Sequence, residues 1–362
     1  CIDGLVFPDR SPRPGYYDMK KVYEPFRGSF KNGELTVKSV RYFESLSDLE
    51  LKWVLSSNGK TVAEGVIESL DIEPQSEVTY KLFDEKDYDL KGDCFVTASI
   101  CQKNDTVWAQ SGYEVGFLQF EIDAEEIEVS EDLNEVKLSE TDRYATINCG
   151  KADFIFDKPY GRICSIKKDG KELLAEPSKF KMWRAPSYNR GSVDEWIANH
   201  LDHVAQKTYE TKVFEENGSV IIETKIALGG PANPPILKGT ATYAFRKNGA
   251  LEITLKGDIR ENAPILPRLG IEFIMNEENE DIVYFGLGET ETYADRYKSA
   301  RFGEYALTVT DNFVHYIRPQ ENSSHYKTRR VTVGIKGGCG LLVEGLGETK
   351  DFSFNASHYS AE

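Results

Sequence analysis

The chain has 362 residues, more than one compact core usually takes, and at roughly 150 residues per domain about two domains are expected. Its 44 Lys and Arg against 60 Asp and Glu leave a net charge of -16, a field that repels phosphate backbones and anionic lipid and so argues against nucleic acid and membrane surfaces as partners. No apolar run approaches the ~20 residues that span a bilayer, whereas a neutral ligand such as a sugar is indifferent to the charge.

The N-terminal stretch CIDGLVFPDR lacks the basic-then-apolar order of a signal peptide, and the missing initiator Met reads as a processed or cut end. From there the chain, with 19 Tyr and 19 Phe, is rich in aromatic and β-branched residues and punctuated by turn dipeptides, the pattern of an all-β protein. Strands are expected at Glu34–Phe43, Leu49–Ser56, Thr61–Ile67, Glu77–Leu82, Cys94–Cys101 and Glu114–Glu121. Asn32-Gly33 and Asn58-Gly59 fall between such runs as hairpin turns, because a type I′ turn needs positive φ at both central residues. Strand number and spacing point to an immunoglobulin-like β-sandwich, although the Cys…Trp…Cys core of antibody domains is absent.

An acidic stretch, DAEEIEVSEDLNEVKLSE (Asp123–Glu140), reads as a domain boundary falling between Glu121 and Leu133, with a solvated edge strand of the next domain as the alternative. Residues 1–125 and 126–362 are the two expected units. In the second, strands are expected at Tyr144–Cys149, Asp153–Asp157, Ile163–Lys167, Ser219–Leu228, Thr240–Arg246, Leu251–Ile259, Gly270–Met275, Arg330–Ile335 and Leu341–Gly345, giving a large β-sandwich. One short helix is expected, over Val193–Gln206, where Trp196, Ile197, Leu201 and Val204 keep helical spacing.

Few residues suggest chemistry on their own. The six cysteines form no CxxC pair and read as buried free thiols suited to a reducing cytoplasm. His200 and His203 lie one turn apart on the expected helix but lack a third ligand, so no metal is assigned to this chain. The glycine-rich Gly334–Gly347 is followed by an apolar strand rather than a helix and reads as hairpin turns. No spacing marks a catalytic pair among the carboxylates.

Three segments combine residues that a generic sandwich does not require. They are Cys1–Tyr23 (CIDGLVFPDRSPRPGYYDMKKVY), Met182–Gly191 (MWRAPSYNRG), and Tyr284–Arg296 (YFGLGETETYADR) with Tyr316–Val331 (YIRPQENSSHYKTRRV). The second reads as a tethered, mobile loop, and both halves of the third as polar, aromatic loops of the kind that contact sugars.

In this order, and with FSFNASHYS (Phe352–Ser360) after them, these segments resemble the C-terminal half of bacterial β-galactosidases of glycoside hydrolase family 2. The resemblance covers essentially the whole chain. It implies a preceding (β/α)8 barrel that holds the two catalytic glutamates and a magnesium site, so that no catalytic residue and no cofactor is expected in this chain. The large sandwich would close against the mouth of that barrel, with Arg184, Ala185, Pro186, Asn189, Arg190 and Gly191 in a loop over the bound sugar. Glu291, Tyr293, Asp295, Arg296, Glu321 and Asn322 are the expected sugar-facing surface. Where the family has Asp-Asn-Asp this chain has Tyr188-Asn189-Arg190, and it stops at Glu362 ahead of the family's final strands, so exposed sheet edges are expected.

The reading implied is a cytoplasmic, non-catalytic portion of a retaining β-galactosidase, partnered by its own barrel, by β-galactoside substrate and by further copies in a homo-oligomer. A free-standing carbohydrate-binding or adhesive module is the alternative, and a mutarotase-like epimerase, which needs a converging His and Glu, is a third.

Overall fold

The computed structural model describes residues 4–126, 135–150, 152–187 and 191–359. It opens with a helix, α1 (Pro14–Val22), which the sequence reading missed. The signals were present: proline in the first turn, where its missing N–H costs nothing, and Lys20 and Lys21 in the last turn against the exposed carbonyls.

Seven strands follow: β1 (Phe26–Lys31), β2 (Glu34–Ser39), β3 (Leu49–Ser57), β4 (Lys60–Ile67), β5 (Glu77–Lys81), β6 (Cys94–Gln102) and β7 (Glu114–Ile122). They form two antiparallel sheets, β1-β2-β5 and β4-β3-β6-β7. Alternation sets the facing. Leu49, Leu51, Trp53 and Leu55 of β3 and Leu35 and Val37 of β2 point between the sheets, where Trp53 packs on Phe83 at 5.4 Å. The expected Asn-Gly hairpins are present, with positive φ at Asn32, Gly33, Asn58 and Gly59. At Gly33 a Cβ would meet the Phe83 carbonyl oxygen at 2.0 Å, so close approach as well as φ demands glycine.

The expected strand Glu34–Phe43 ends at Ser39. Beyond it Val40 N–H donates to the Pro25 carbonyl, and the Arg41 guanidinium is drawn to Asp48 at 2.6 and 3.0 Å. These bonds turn the chain out of the sheet.

After this sandwich comes a five-stranded meander: β8 (Lys137–Glu140), β9 (Tyr144–Asn148), β10 (Asp153–Asp157), β11 (Arg162–Lys168) and β12 (Lys171–Glu172). β13 (Leu174–Lys181) leads to α2 (Val193–Ala198) and then to a four-stranded sheet of β14 (Ala205–Glu216), β15 (Ser219–Gly229), β16 (Leu237–Phe245) and β17 (Leu251–Ile259), after which β18 (Gly270–Met275) returns to pair with β13. The meander and the four-stranded sheet share one core, across which Phe154 meets Phe245 at 5.2 Å and Phe156 meets Tyr243 at 4.8 Å.

The helix expected over Val193–Gln206 stops at Ala198. His200 takes a left-handed φ of 53°, Leu201–His203 form a single tight turn, and Ala205 pairs with Gly229. Long-range strand pairing overrides the local helical spacing, so His200 and His203 do not share a helix face.

The last sheet has the order β20-β19-β21-β22, built from β19 (Asp281–Gly288), β20 (Arg301–Thr308), β21 (Ser324–Gly334) and β22 (Gly340–Glu344), with β23 (Phe352–Asn355) also on β21 and a one-turn helix α3 (Val309–Asn312) after β20. Much of the segments expected as loops at Tyr284–Arg296 and Tyr316–Val331 is therefore strand. One face of this sheet covers a small core of Ile282, Tyr284, Val309 and Val331, and the other lies against β6 and β7 of the first sandwich. There Phe95 stacks on Phe302 at 4.8 Å and 12°, and Gln119 exchanges two hydrogen bonds with the Phe302 backbone. Such a stacked pair adds about 1 kcal/mol beyond its buried area.

The expected free thiols are found at Cys94, Cys101 and Cys149, all buried, and at Cys164 and Cys339, both partly so. Among the described residues no helix is long and apolar enough to cross a membrane.

Candidate functional site

The segments singled out from the sequence meet in one place. Glu321, in the loop between α3 and β21, is 8% exposed, and one carboxylate oxygen accepts the backbone N–H of Ala185 at 3.0 Å. The other oxygen accepts from Arg268 at 2.5 Å and from the Asn355 amide at 3.2 Å. Asn355 also takes a bond from Arg268 at 2.9 Å and donates to the Asn322 carbonyl at 2.8 Å. Three regions distant in sequence are thus held by one buried carboxylate and one guanidinium. The arrangement is tolerated in the interior because both carboxylate oxygens have donors and one of those donors is charged.

Glu291 has the same role in a neighbouring loop. It is 5% exposed and accepts four bonds: from Arg296 at 2.5 Å, from the Tyr316 hydroxyl, from Ser323 N–H at 2.8 Å and from the Tyr293 hydroxyl at 3.3 Å. Thr292 N–H donates to the Ser324 carbonyl at 2.7 Å, which zips the two halves of the third segment together. Burial works against the Arg296 charge, but the adjacent Glu291 carboxylate more than offsets it and holds the guanidinium charged. Burial, reinforced by Glu291, pushes the Tyr293 and Tyr316 phenols far above their ordinary value, so both remain hydroxyl donors.

The first segment joins through Phe7, whose ring lies 6.1 Å from Tyr316. Arg13 sits over Phe7 at 5.0 Å, and Ser11 O accepts from Phe7 N–H at 2.8 Å, which closes the Pro-rich loop on itself.

Of the residues expected in the lid loop, Arg184 is half-buried and Gly191 is exposed with open space beside its Cα; Asn189 and Arg190 lie outside the described residues. Asp295 is exposed in the turn between Tyr293 and Arg296, whose backbones pair. Asn322 folds inward, its side chain accepting from Val314 N–H and donating to the Gln320 carbonyl. Residues of this cluster not named as candidates from the sequence are Arg268, Tyr316, Ser323 and Asn355, the last three lying within segments that were singled out. Arg268 stands in a proline-flanked loop with no local signal, since its partner lies 53 positions away.

Chemically, the Glu291 and Glu321 carboxylates are occupied by donors from the chain itself. Among the described residues no group of three His, Cys, Asp or Glu is gathered as a metal site. His325 is buried against Asn312 rather than a carboxylate, and His358 pairs with Glu280 at 2.7 Å beside α3. The cluster fixes loops. Apolar side chains stand in the same loops, with Ile265 82% and Tyr359 74% exposed.

Comparison with known proteins gives two matching families. The one described as Beta galactosidase small chain matches residues 148–362, and the one described as Beta-galactosidase, domain 4 matches residues 35–123. Among individual relatives, a beta-galactosidase of Staphylococcus xylosus is 27% identical over 99% of this chain and 36% of its own length. One from Actinobacillus pleuropneumoniae is 26% identical over 100% of this chain and 36% of its own, and one from Lactobacillus delbrueckii subsp. bulgaricus is 29% identical over 100% and 35%. The chain spans about a third of the length of the relatives it matches.

Proposed function

Because this chain belongs to the beta galactosidase small chain family, we propose that it is the non-catalytic C-terminal portion of a retaining β-galactosidase that hydrolyses terminal β-D-galactosides. The observation that carries the reading is that β-galactosidase relatives match it from end to end while it covers 36% of their length, which leaves room for a catalytic body elsewhere in the polypeptide.

A retaining glycosidase needs a nucleophilic carboxylate and an acid/base carboxylate about 5–5.5 Å apart. Both are assigned to the companion barrel, as is the magnesium expected in the parent; no residue of this chain is given a role in holding that ion. The role left to this chain is positional. The Glu321 and Glu291 hubs hold the Ala185 loop, the Tyr316 loop and the Pro-rich N-terminal segment as one rigid rim that supports the barrel and lines the substrate mouth. Because the loops are tied to buried carboxylates, the rim keeps its shape without the entropy that free loops would lose on closing. Assembly into a homo-oligomer and residence in the cytoplasm belong to the same reading.

The test compares this chain with the complete polypeptide on a chromogenic β-galactoside. Turnover by the complete polypeptide and none by this chain is expected. Hydrolysis by the purified chain, or galactose binding by it in calorimetry, would overturn the division of labour in favour of an independent enzyme or binding module.

A further inference from the structure

Arg184 has no hydrogen-bond or ion-pair partner among the described residues. Among the described residues every other arginine withdrawn from solvent is engaged, by a carboxylate at Arg41, Arg246, Arg268, Arg296, Arg301, Arg329 and Arg330, and by a carbonyl, an amide or an aromatic ring at Arg13, Arg162 and Arg260. Arg184 is half-buried, and its Nε is closed to water and bonded to nothing. The preceding residue repeats the pattern: Trp183 Nε1 is buried without an acceptor. An unbonded Nε also occurs at Arg13, Arg162 and Arg260, but those guanidiniums have a ring, carbonyl or amide partner, whereas among the described residues Arg184 has none, so the group missing at Arg184 is an acceptor.

The backbone holds this guanidinium firmly. On one side Trp183 is 8% exposed and packs edge-on against Trp196 at 6.2 Å. On the other, Ala185 N–H is fixed by the Glu321 carboxylate, itself held by Arg268 and Asn355. Pro186 follows and limits the chain's next step. The loop cannot supply the counter-charge, since the sequence from Pro186 to Val193 has no acidic residue and adds a second cation, Arg190. In a chain with 60 acidic residues against 44 basic ones, a partly buried guanidinium left unpaired is a site that expects company.

Resting on the reading above, we propose that Arg184 is the receptor for a carboxylate side chain of the companion catalytic body, and so the point at which the rim is locked to that body. A carboxylate fits better than a sugar hydroxyl. The two terminal NH2 groups of a guanidinium present parallel N–H donors that match both oxygens of a carboxylate, and a neutral sugar would leave the charge uncompensated.

The test uses Arg184→Ala and Arg184→Lys in the complete polypeptide and in this chain alone. In the complete polypeptide R184A lowers the thermal midpoint by roughly 5 °C or more, because it strands a desolvated carboxylate, and R184K recovers less than half of the loss since an ammonium cannot span both oxygens. In this chain alone R184A leaves the midpoint unchanged or raises it. Equal melting of wild-type and R184A complete polypeptides, or the same loss in this chain alone, overturns the proposal. So does a tenfold rise in KM with no change in midpoint, which would make Arg184 a substrate contact. If the unsubstituted complete polypeptide does not hydrolyse β-galactosides, the proposed function fails, while the melting comparison still decides the ion pair.

Discussion

Glu321 holds the backbone N–H of Ala185 at 3.0 Å across 136 positions of sequence, and in doing so it fixes the loop that carries Arg184. The same carboxylate binds Arg268 at 2.5 Å, so one buried group sets the position of three loops. A backbone N–H is an obligatory donor, and in a buried loop its satisfaction by a side chain replaces the ladder partner that a strand would have given it.

Replacing Glu321 by Gln keeps the shape and removes both the charge and one acceptor. Whichever way the amide turns, an NH2 group faces either the Ala185 N–H or the donors of Arg268 and Asn355. A loss of about 2–3 kcal/mol is expected in urea unfolding, together with faster proteolysis at residues 186–191. An unchanged midpoint would mean that the hub does not order the loop.

The four donors around Glu291 are not equal. Tyr316→Phe deletes a single hydroxyl and leaves the carboxylate with Arg296, Ser323 and Tyr293, so about 1–2 kcal/mol is expected. Glu291→Gln strands the Arg296 guanidinium and should cost about 3 kcal/mol. The double variant should cost less than the sum, since Tyr316→Phe removes a bond that Glu291→Gln already weakens by taking away the acceptor's charge; strict additivity in the cycle would contradict a shared network.

His325 couples this sheet to pH. It lies between the rings of Tyr284 at 4.5 Å and Phe354 at 4.9 Å. The Asn312 amide is oriented by its donations to Ser323 and Ala356, so its oxygen faces His325 Nε2 at 2.8 Å and that nitrogen carries the proton. Burial lowers the imidazole pKa from its ordinary 6.5 to about 4. The unfolded chain therefore binds the proton first on acidification. Stability is complete above pH 6.5 and is lost as pH falls toward 4, by about 3 kcal/mol at most. Urea midpoints between pH 7.5 and 4.5 should fall less steeply in His325→Gln than in the parent chain; parallel curves would refute the assignment.

How much of this could be read from the sequence follows from the range of the interactions. The Asn32-Gly33 and Asn58-Gly59 hairpins were legible because a type I′ turn is decided by two adjacent residues. Alternation gave β3 and β6 because their partners lie on both sides at regular spacing. Val193–Gln206 misled, since its helical spacing is real, but Ala205 gains a strand partner at Gly229 that no local window contains. The cluster was only partly legible. Unusual residue combinations marked Glu291 and Glu321 as worth attention and suggested a sugar-facing surface, whereas the fold turns both carboxylates inward onto the chain's own donors. Arg268 gave no signal at all, because what makes it important is a partner in another loop.

The last prediction concerns the joint between the first sandwich and the final sheet. Arg329, 8% exposed, binds Asp93 and Glu121 of the first sandwich and Asp351 ahead of β23, while its guanidinium lies over the rings of Phe302 at 4.9 Å and Phe95 at 5.4 Å. Burial alone would lower its pKa, but Glu121 and Asp93 reverse that and keep it charged. A planar fork is required, because an ammonium cannot reach three carboxylates and stack on two rings at once. Arg329→Lys should therefore cost about 2 kcal/mol, and Arg329→Met, which leaves three acids facing one another across the joint, about 3 kcal/mol or more. If the joint couples the two bodies, calorimetry of Arg329→Met should resolve two transitions where the unsubstituted chain gives one, since each body keeps its own core. A single transition in both, with an unchanged midpoint, would show that the stacked Phe95 and Phe302 rings and the Gln119 bonds hold the joint without the arginine.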